Sequence, residues 1–352
     1  MYPALAVIAE LNEKAEVLWV GGQGGMEGEL VKRAGVPFEA IPAAGLHGVG
    51  LRSLPINASR LLQGIPAARR IIHRFRPDVL FFTGGYVGVP VALAGQRLPQ
   101  AVFVPDIEPA LALRLISLFA NVINVSTAAS ERFYSDRKRV VVTGYPTQTD
   151  FVMRGKAEAR RTFGVDEDTR TLLVFGGSRG ARSINEAVWE ILPELLEIAQ
   201  VIHITGELDW PRVPAVTDIL NTSYARRYYP HPYLHEGMDQ ALEAADLVVS
   251  RSGAATMGEY PLFGLPAVLV PYPHAWRYQA MNAAYLEDNG GAIVLRDEDL
   301  RRDLLPMLSE LMLDRTRLEE MGAAMRNVLM PGAAKKIAGE IEILGTKRGR
   351  DA

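Results

Sequence analysis

Three stretches place glycines after a buried-type apolar run and before a helix-forming one: Thr83-Gly-Gly-Tyr-Val-Gly-Val-Pro90, Phe175-Gly-Gly-Ser-Arg-Gly-Ala181 and Arg251-Ser-Gly-Ala-Ala-Thr256. Glycine lets a backbone come close to a ligand. The helix start that follows offers free N–H groups and a partial positive charge, which suits a phosphate. A single turn of this kind serves the packing of a parallel sheet as readily as it serves a ligand. Two of them fall in the second half of the chain, with hydroxyls at Ser178, Ser252 and Thr256, and together they fit a diphosphate. None reads GxxxxGK[ST], so a P-loop nucleotidase is excluded.

The densest chemistry lies between Arg251 and Ala292. A helix beginning near Ala254 sets Glu259 in its second turn, where a carboxylate can accept two hydrogen bonds from a ribose diol. Beyond the next apolar run, His274-Ala-Trp-Arg-Tyr-Gln-Ala-Met-Asn282 mixes carboxamides, aromatics and a histidine. Amides donate and accept together, and aromatic faces cover C–H surfaces, so this loop suits a sugar. The plain alternative is a polar loop with Asn282 capping a helix. The triplets Asp166-Glu-Asp168 and Asp297-Glu-Asp299 read as solvated turns or helix starts. His231 and His235 have the spacing of helical zinc ligands, but Pro232 between them breaks the helix. The chain has no cysteine, which excludes disulfides, cysteine zinc sites, iron–sulfur clusters and thiol nucleophiles. No bound metal is expected.

The elements that must hold these residues follow from the apolar pattern. At 352 residues the chain suits about two domains, and 48% hydrophobic with 22% charged residues gives ample core. A net charge of −3 exerts no global pull toward nucleic acid. Candidate strands are Val17–Val20, Val79–Phe82, Val102–Val104, Val122–Val125 and Val140–Thr143, then Thr171–Phe175, Val201–Ile204, Leu247–Ser250, Ala267–Val270 and Ala292–Leu295. Most are continuous apolar runs, the mark of parallel strands covered on both faces. Helices between them make doubly wound sheets. A boundary is expected at Tyr145, giving domains 1–145 and 146–332, with a last helix over 333–349. The charge-free run Val79 to Gln96 reads as strand, turn and short helix rather than a membrane span, because two glycines and Pro90 interrupt it. No basic segment precedes an apolar run at the N-terminus, so no signal peptide is expected. The chain opens on a helix, with Pro3 at its start and Leu5, Ile8 and Leu11 as its apolar stripe.

The second half closely resembles the MurG family of UDP-N-acetylglucosamine transferases, which complete lipid II in peptidoglycan synthesis. The matching stretches are GGSRGARSIN (Gly176–Asn185), YLHEGMDQALEAADLVVSRSGAATMGE (Tyr233–Glu259) and GLPAVLVPYPHAWRYQAMNA (Gly264–Ala283). The first half is similar through PALAV (Pro3–Val7), VGGQGGMEGELVKRAGVPF (Val20–Phe38), RPDVLFFTGGYVGVP (Arg76–Pro90) and VTGYP (Val142–Pro146).

The resemblance implies a GT-B fold of the α/β class: two doubly wound Rossmann-like domains with a cleft between them, the last helix returning to the first domain. It implies an inverting transfer, with no cofactor and no essential metal, of N-acetylglucosamine from UDP-N-acetylglucosamine. The acceptor is the 4-hydroxyl of an undecaprenyl-linked muramyl-peptide, at the cytoplasmic face of the plasma membrane. For the donor it implies Gly177 and Ser178 at the diphosphate and backbone at Leu234 reading the uracil. Ser252, Ala255 and Thr256 line the nucleotide, Glu259 takes the ribose, and Gln279 takes the sugar with support from Asn282. Gly84, Gly85, Tyr86 and Gly88 fall on the acceptor side. The family's GGTGGH loop, whose histidine is its favoured general base, would end immediately before Met1. Asp106 and Glu108 are then the substitute candidates, standing where the family has an HEQN-like segment. Tyr145, Gln148 and Tyr278 also depart from the family's pattern.

A lipid-bound acceptor calls for membrane contact. Leu61, Leu62 and Ile65 beside Arg60, Arg69, Arg70 and Arg74 suit anionic lipid, or equally a core helix with solvated arginines. Three other readings stay open: a diacylglycerol glycosyltransferase, a UDP-sugar-binding protein without turnover, and a nicotinamide-dependent dehydrogenase. The last lacks a GxGxxG after the first visible strand.

Overall fold

The computed structural model describes the chain apart from residues 12–13, 26, 46–53, 149–150, 178–179, 221, 235, 275–276 and 352. It divides into two compact units, Met1–Thr149 with Met330–Ala352, and Asp150–Leu329.

In the first unit β1 (Trp19–Gly22) and β2 (Phe38–Ile41) pair in parallel. Four further strands, β3 (Leu80–Phe82), β4 (Gln100–Val104), β5 (Val122–Val125) and β6 (Val140–Val142), form a second parallel sheet in sequence order. One core serves both sheets, because Val20 and Ile41 pack with Phe82, Val102, Val104 and Ile123. Phe103 points the other way and meets Val7 and Leu11 of the helix Tyr2–Leu11 and Ile337 of the final helix Ala333–Asp351. This alternation buries every residue of β4, which is why its sequence reads as an unbroken apolar run. The opening helix buries Ala4, Val7 and Leu11, while Leu5 and Ile8 are half-buried. The buried stripe is therefore turned from the expected one, toward Phe103 and the final helix.

The second unit holds β7 (Thr171–Phe175), β8 (Gln200–Ile204), β9 (Tyr228–His231), β10 (Leu247–Ser250), β11 (Ala267–Leu269) and β12 (Ala292–Val294). They form one parallel sheet in the order β12-β11-β10-β7-β8-β9. The chain winds outward from β7 to β9, then returns to β10 and winds the other way. The reversal lies between β7 and β10, and ligands of such sheets bind outside the carboxyl ends of the strands at that switch point. At the opposite ends, Asp246 accepts from Arg160 at 2.6 Å, Lys156 at 2.6 Å and the Thr171 N–H at 2.8 Å, tying the starts of β7 and β10 to the helix Lys156–Phe163.

Two strands are absent from the sequence expectations. Phe38-Glu-Ala-Ile41 is short and carries a charge, and Tyr228-Tyr-Pro-His231 contains a proline, which argues against an interior strand. β9 lies at the sheet edge, where a missing N–H faces no neighbour. The run Val79 to Gln96 folds as β3, a turn and the helix Gly88–Ala94. Among the described residues, no helix is long and apolar enough to cross a membrane.

Candidate functional site

Phe175 and Ser250 are register partners at the carboxyl ends of β7 and β10. The two glycine turns of the second unit therefore leave the sheet side by side at the switch point. After Phe175 the chain folds back so tightly that a Cβ on Gly176 would collide with the backbone of Gly180 and Ala181. Gly180 has φ +76° and lies against the Thr205 carbonyl, where a side chain would strike the oxygen. Both positions thus require glycine. The helix Arg182–Glu190 then begins, with Gly177 in the turn before it. Ser178 lies outside the described residues.

On the β10 side the helix runs Thr256–Phe263 and starts two residues later than expected, which puts Glu259 in its first turn. The delay comes from the RSGAAT turn. Thr256 N–H and Oγ1 both bond the Gly253 carbonyl, at 3.0 and 2.7 Å, and hold that residue out of the helix. Glu259 is 9% exposed, and its neighbour Tyr260 is fully buried with its hydroxyl 2.6 Å from Ser250 Oγ. Burial pushes the Tyr260 phenol well above its ordinary pKa, so it stays neutral.

Ser252 is fully buried, and its Oγ donates to the Gln279 carbonyl at 2.8 Å. Asn282 Nδ2 donates to the Ser252 carbonyl at 3.2 Å from within the helix Tyr278–Asp288, so it caps no helix and ties that helix to the turn. Gln279 Oε1 accepts from the Tyr272 N–H at 2.8 Å, which anchors its side chain at the mouth of the β11 loop. Ala275 and Trp276 of that loop lie outside the described residues. Ala255 and Leu234 are half-buried, Leu234 in the segment after β9. The structure thus gathers Gly177, Ala255, Thr256, Glu259 and Gln279 on loops and helix starts at the carboxyl edge, with Ser252 and Asn282 as buttresses beneath them.

Sequence reasoning missed the residue that binds these loops together. Arg251 donates to Asp297 Oδ1 at 2.5 Å, to Ser183 Oγ at 2.8 Å and to the Val270 carbonyl at 3.1 Å, and lies 5.2 Å from the Tyr272 ring centre. It spans four segments. Asp297, expected in a solvated turn or a helix start, does open a helical turn before the helix Leu300–Leu313 and is also the counter-ion of Arg251. The available signal was a charge placed directly after the buried strand Leu247–Ser250.

A second missed group lies under the β7 turn. His203 of β8 is fully buried, with Nδ1 3.0 Å from Tyr228 Oη and Nε2 3.0 Å from Asn185 Oδ1. Burial lowers its pKa from 6.5 to about 3, against the opposing pull of Asp209. The native imidazole stays neutral where the unfolded one titrates, so the unfolded chain binds more protons between these values and stability rises with pH across them. That contribution is complete above pH 6.5 and is lost as pH falls toward 3. His203 should cost about 2 kcal/mol of stability between pH 7 and pH 5. Urea unfolding at the two pH values checks this: the loss should shrink by that amount in His203→Gln. Equal losses in parent and variant would contradict it.

In the first unit Gly84 and Gly85 follow β3 with φ of +129° and +83°. Tyr86 is exposed, packs against Gly45, and brings its hydroxyl within 3.9 Å of a Cβ built on Gly22 at the end of β1. Gly88 is small for packing, since a Cβ there would press on Ile116 and Phe82. Glu27 Oε1 accepts from the Gly22 N–H at 2.9 Å and pins the loop after β1. Beyond β4, Asp106 is half-buried, whereas Glu108 is 2% exposed and bonds Arg114 at 2.5 Å.

The pattern of the glycosyltransferase family 28 N-terminal domain matches residues 1–130, and that of the family 28 C-terminal domain matches residues 171–337. A UDP-N-acetylglucosamine–N-acetylmuramyl-(pentapeptide) pyrophosphoryl-undecaprenol N-acetylglucosamine transferase of Roseiflexus sp. (strain RS-1) is 36% identical over 99% of this chain and 93% of its own length. MurG of Acinetobacter baumannii superposes with a TM-score of 0.73 at 24% identity, covering 97% of this chain and 95% of that one. A UDP-GlcNAc 2-epimerase from Neisseria meningitidis superposes with a TM-score of 0.69 at 15% identity, covering 97% and 96%. The GT-B fold alone therefore hosts more than one chemistry, and it is the sequence that selects among them. With both domain patterns present in order and a relative of that identity matching 99% of the chain, the chain belongs to glycosyltransferase family 28, in its MurG group.

Proposed function

We propose that this chain is a UDP-N-acetylglucosamine-dependent hexosyltransferase. It moves N-acetylglucosamine to the 4-hydroxyl of an undecaprenyl-diphosphate-linked N-acetylmuramyl-pentapeptide, forming lipid II for peptidoglycan. The observation that carries the reading is the pair of glycine turns at the β7/β10 switch point, with Glu259 and Gln279 beside them, in a chain 36% identical to a transferase so named. In the transfer the acceptor oxygen bonds to the anomeric carbon from the face opposite the diphosphate. The bond to the diphosphate oxygen breaks, UDP leaves, and a base takes the hydroxyl proton. Gly177, Ser178 and the helix start at Arg182 receive the diphosphate charge. Glu259 takes the ribose, Leu234 the uracil, and Gln279 the sugar. Gly84, Gly85 and Tyr86 belong to the acceptor. The test is turnover of radiolabelled UDP-N-acetylglucosamine with the lipid-linked muramyl-peptide and, separately, with diacylglycerol. Product with the first acceptor alone supports the reading, and product with the second alone replaces it by a diacylglycerol transferase.

The first unit carries the membrane contact in this reading. On the helix Leu54–Phe75, Leu62 is exposed on the side that carries Arg69 two turns on, with exposed Arg70 next to it, while Leu61 and Ile65 are half-buried and Arg74 pairs with Glu39. A similar face lies on the helix Leu111–Ser117, where Leu111 and Leu115 are exposed, with Leu118 and Lys138 beyond its end. Each cation near an anionic surface contributes about 1 kcal/mol. Arg69→Glu with Arg70→Glu should therefore reduce co-sedimentation with phosphatidylglycerol-rich vesicles by tenfold or more, roughly. Unchanged binding would remove the helix Leu54–Phe75 from the membrane face.

A further inference from the structure

We infer that His203 and Tyr228 are positioning residues for the donor diphosphate, acting through Asn185 to set the carbonyl of Thr205 on which Gly180, in the turn after β7, packs. The inference rests on the proposal that this turn receives the diphosphate.

The connection is continuous. Asn185 Nδ2 donates to the Thr205 carbonyl at 2.8 Å and to Asp209 Oδ2 at 3.0 Å. Gly180 packs on that same Thr205 oxygen. Asp209 Oδ1 accepts from Nε of Arg182, the first residue of the helix after the turn, at 3.0 Å. One amide group thus holds the downstream half of the turn twice, at Gly180 through Thr205 and at Arg182 through Asp209.

The orientation of that amide is set from below. With its nitrogen committed to two acceptors, Asn185 presents Oδ1 to His203, so Nε2 carries the proton and donates. Nδ1 then accepts from the Tyr228 hydroxyl, whose oxygen takes the Trp189 Nε1–H at 2.9 Å. Each group in the relay is buried. A flipped amide would bring N–H against N–H at His203 and oxygen against oxygen at Thr205 and Asp209. Removing the Tyr228 hydroxyl leaves the imidazole Nδ1 without its donor and the Trp189 Nε1–H without its acceptor, so the ring is no longer held in register with Asn185 Oδ1. Apolar side chains of the same volume would fill this core. A fully satisfied polar chain instead fixes one geometry. Tyr228 also opens β9, whose end leads to Leu234, so the uracil-side strand and the diphosphate-side turn share the relay.

The test compares UDP and uridine as competitors of UDP-N-acetylglucosamine binding, in the parent chain, Tyr228→Phe, His203→Phe and His203→Gln. Tyr228→Phe and His203→Phe should weaken UDP about two- to tenfold and leave uridine unchanged. His203→Gln, whose amide N–H still reaches Asn185 Oδ1, should restore UDP affinity. Tyr228→Phe removes one oxygen and no carbon, and carries the test if His203→Phe does not fold. Parallel weakening of UDP and uridine, or unchanged UDP affinity in Tyr228→Phe, overturns the inference. A parent chain that binds UDP no tighter than uridine overturns the diphosphate assignment and this inference with it.

Discussion

Glu259→Ala should weaken UDP-N-acetylglucosamine binding by about 1.5–3 kcal/mol, roughly 10- to 150-fold in Kd, read by titration calorimetry. The expectation follows from how little freedom the carboxylate has. Its helix is anchored on one side by the buried Tyr260–Ser250 pair and at its start by the double bond of Thr256 to Gly253. A carboxylate carried on a helix anchored in this way is presented to a ribose diol without prior ordering of its backbone, which lowers the entropic cost of the charge-assisted bonds. Alanine keeps the helix, because its helical propensity exceeds that of glutamate. The loss therefore reads on binding rather than on folding. Glu259→Gln, which keeps one acceptor, should fall between the two. An affinity equal to the parent's would place the ribose elsewhere.

Asp106→Asn should lower kcat by about 10²- to 10⁴-fold, the span general-base catalysis contributes, with the KM for the sugar nucleotide little changed. Asp106 and Glu108 are both proposed bases, and their surroundings separate them. Glu108 is buried and bonded to Arg114, which also donates to the Pro109 carbonyl at 3.1 Å. Its removal breaks that ion pair at its buried end and should lower the unfolding midpoint. Asp106 lies two residues nearer β4 and is half-buried, which makes it the more accessible of the two. Steady-state kinetics on both carboxamide variants decides. Full turnover in each would show that neither carboxylate takes the proton.

Most of the fold was legible because both faces of each sheet are covered. Where helices lie on either side, as at β4, β7 and β8, both faces are buried and most side chains are apolar, and those strands are found within two residues. Legibility fails at two of the edges. β2 and β9 each have one free side, tolerate a glutamate and a proline there, and so lose the signal. The glycine turns were legible for a different reason: a backbone that folds back on Ala181, or sits on a carbonyl as Gly180 does, admits no other residue. What could not be read was partnership. Arg251 meets Asp297 and Ser183, and Asn185 meets His203 and Asp209, across gaps of eighteen to sixty-eight residues. Local sequence says only that a polar residue is present. Ser252 shows the converse, since its hydroxyl suggested a ligand contact and instead holds Gln279 in place.

The final helix packs on Val7, Leu11, Phe103, Ala101 and Val122, all in the first unit, although the whole second unit separates it from them in the chain. During synthesis that order becomes a delay. At about 5–20 residues per second, the ribosome needs on the order of ten seconds or more to make the second unit. Throughout that time the face of the first unit's sheet that holds Ala101, Phe103 and Val122 is covered only by the opening helix. The second unit is contiguous and completes its core as it emerges, so the part made first is the part that finishes last. Chaperones that hold exposed apolar surface would thus meet this protein at its amino-terminal half, until the last turns of helix arrive to close it.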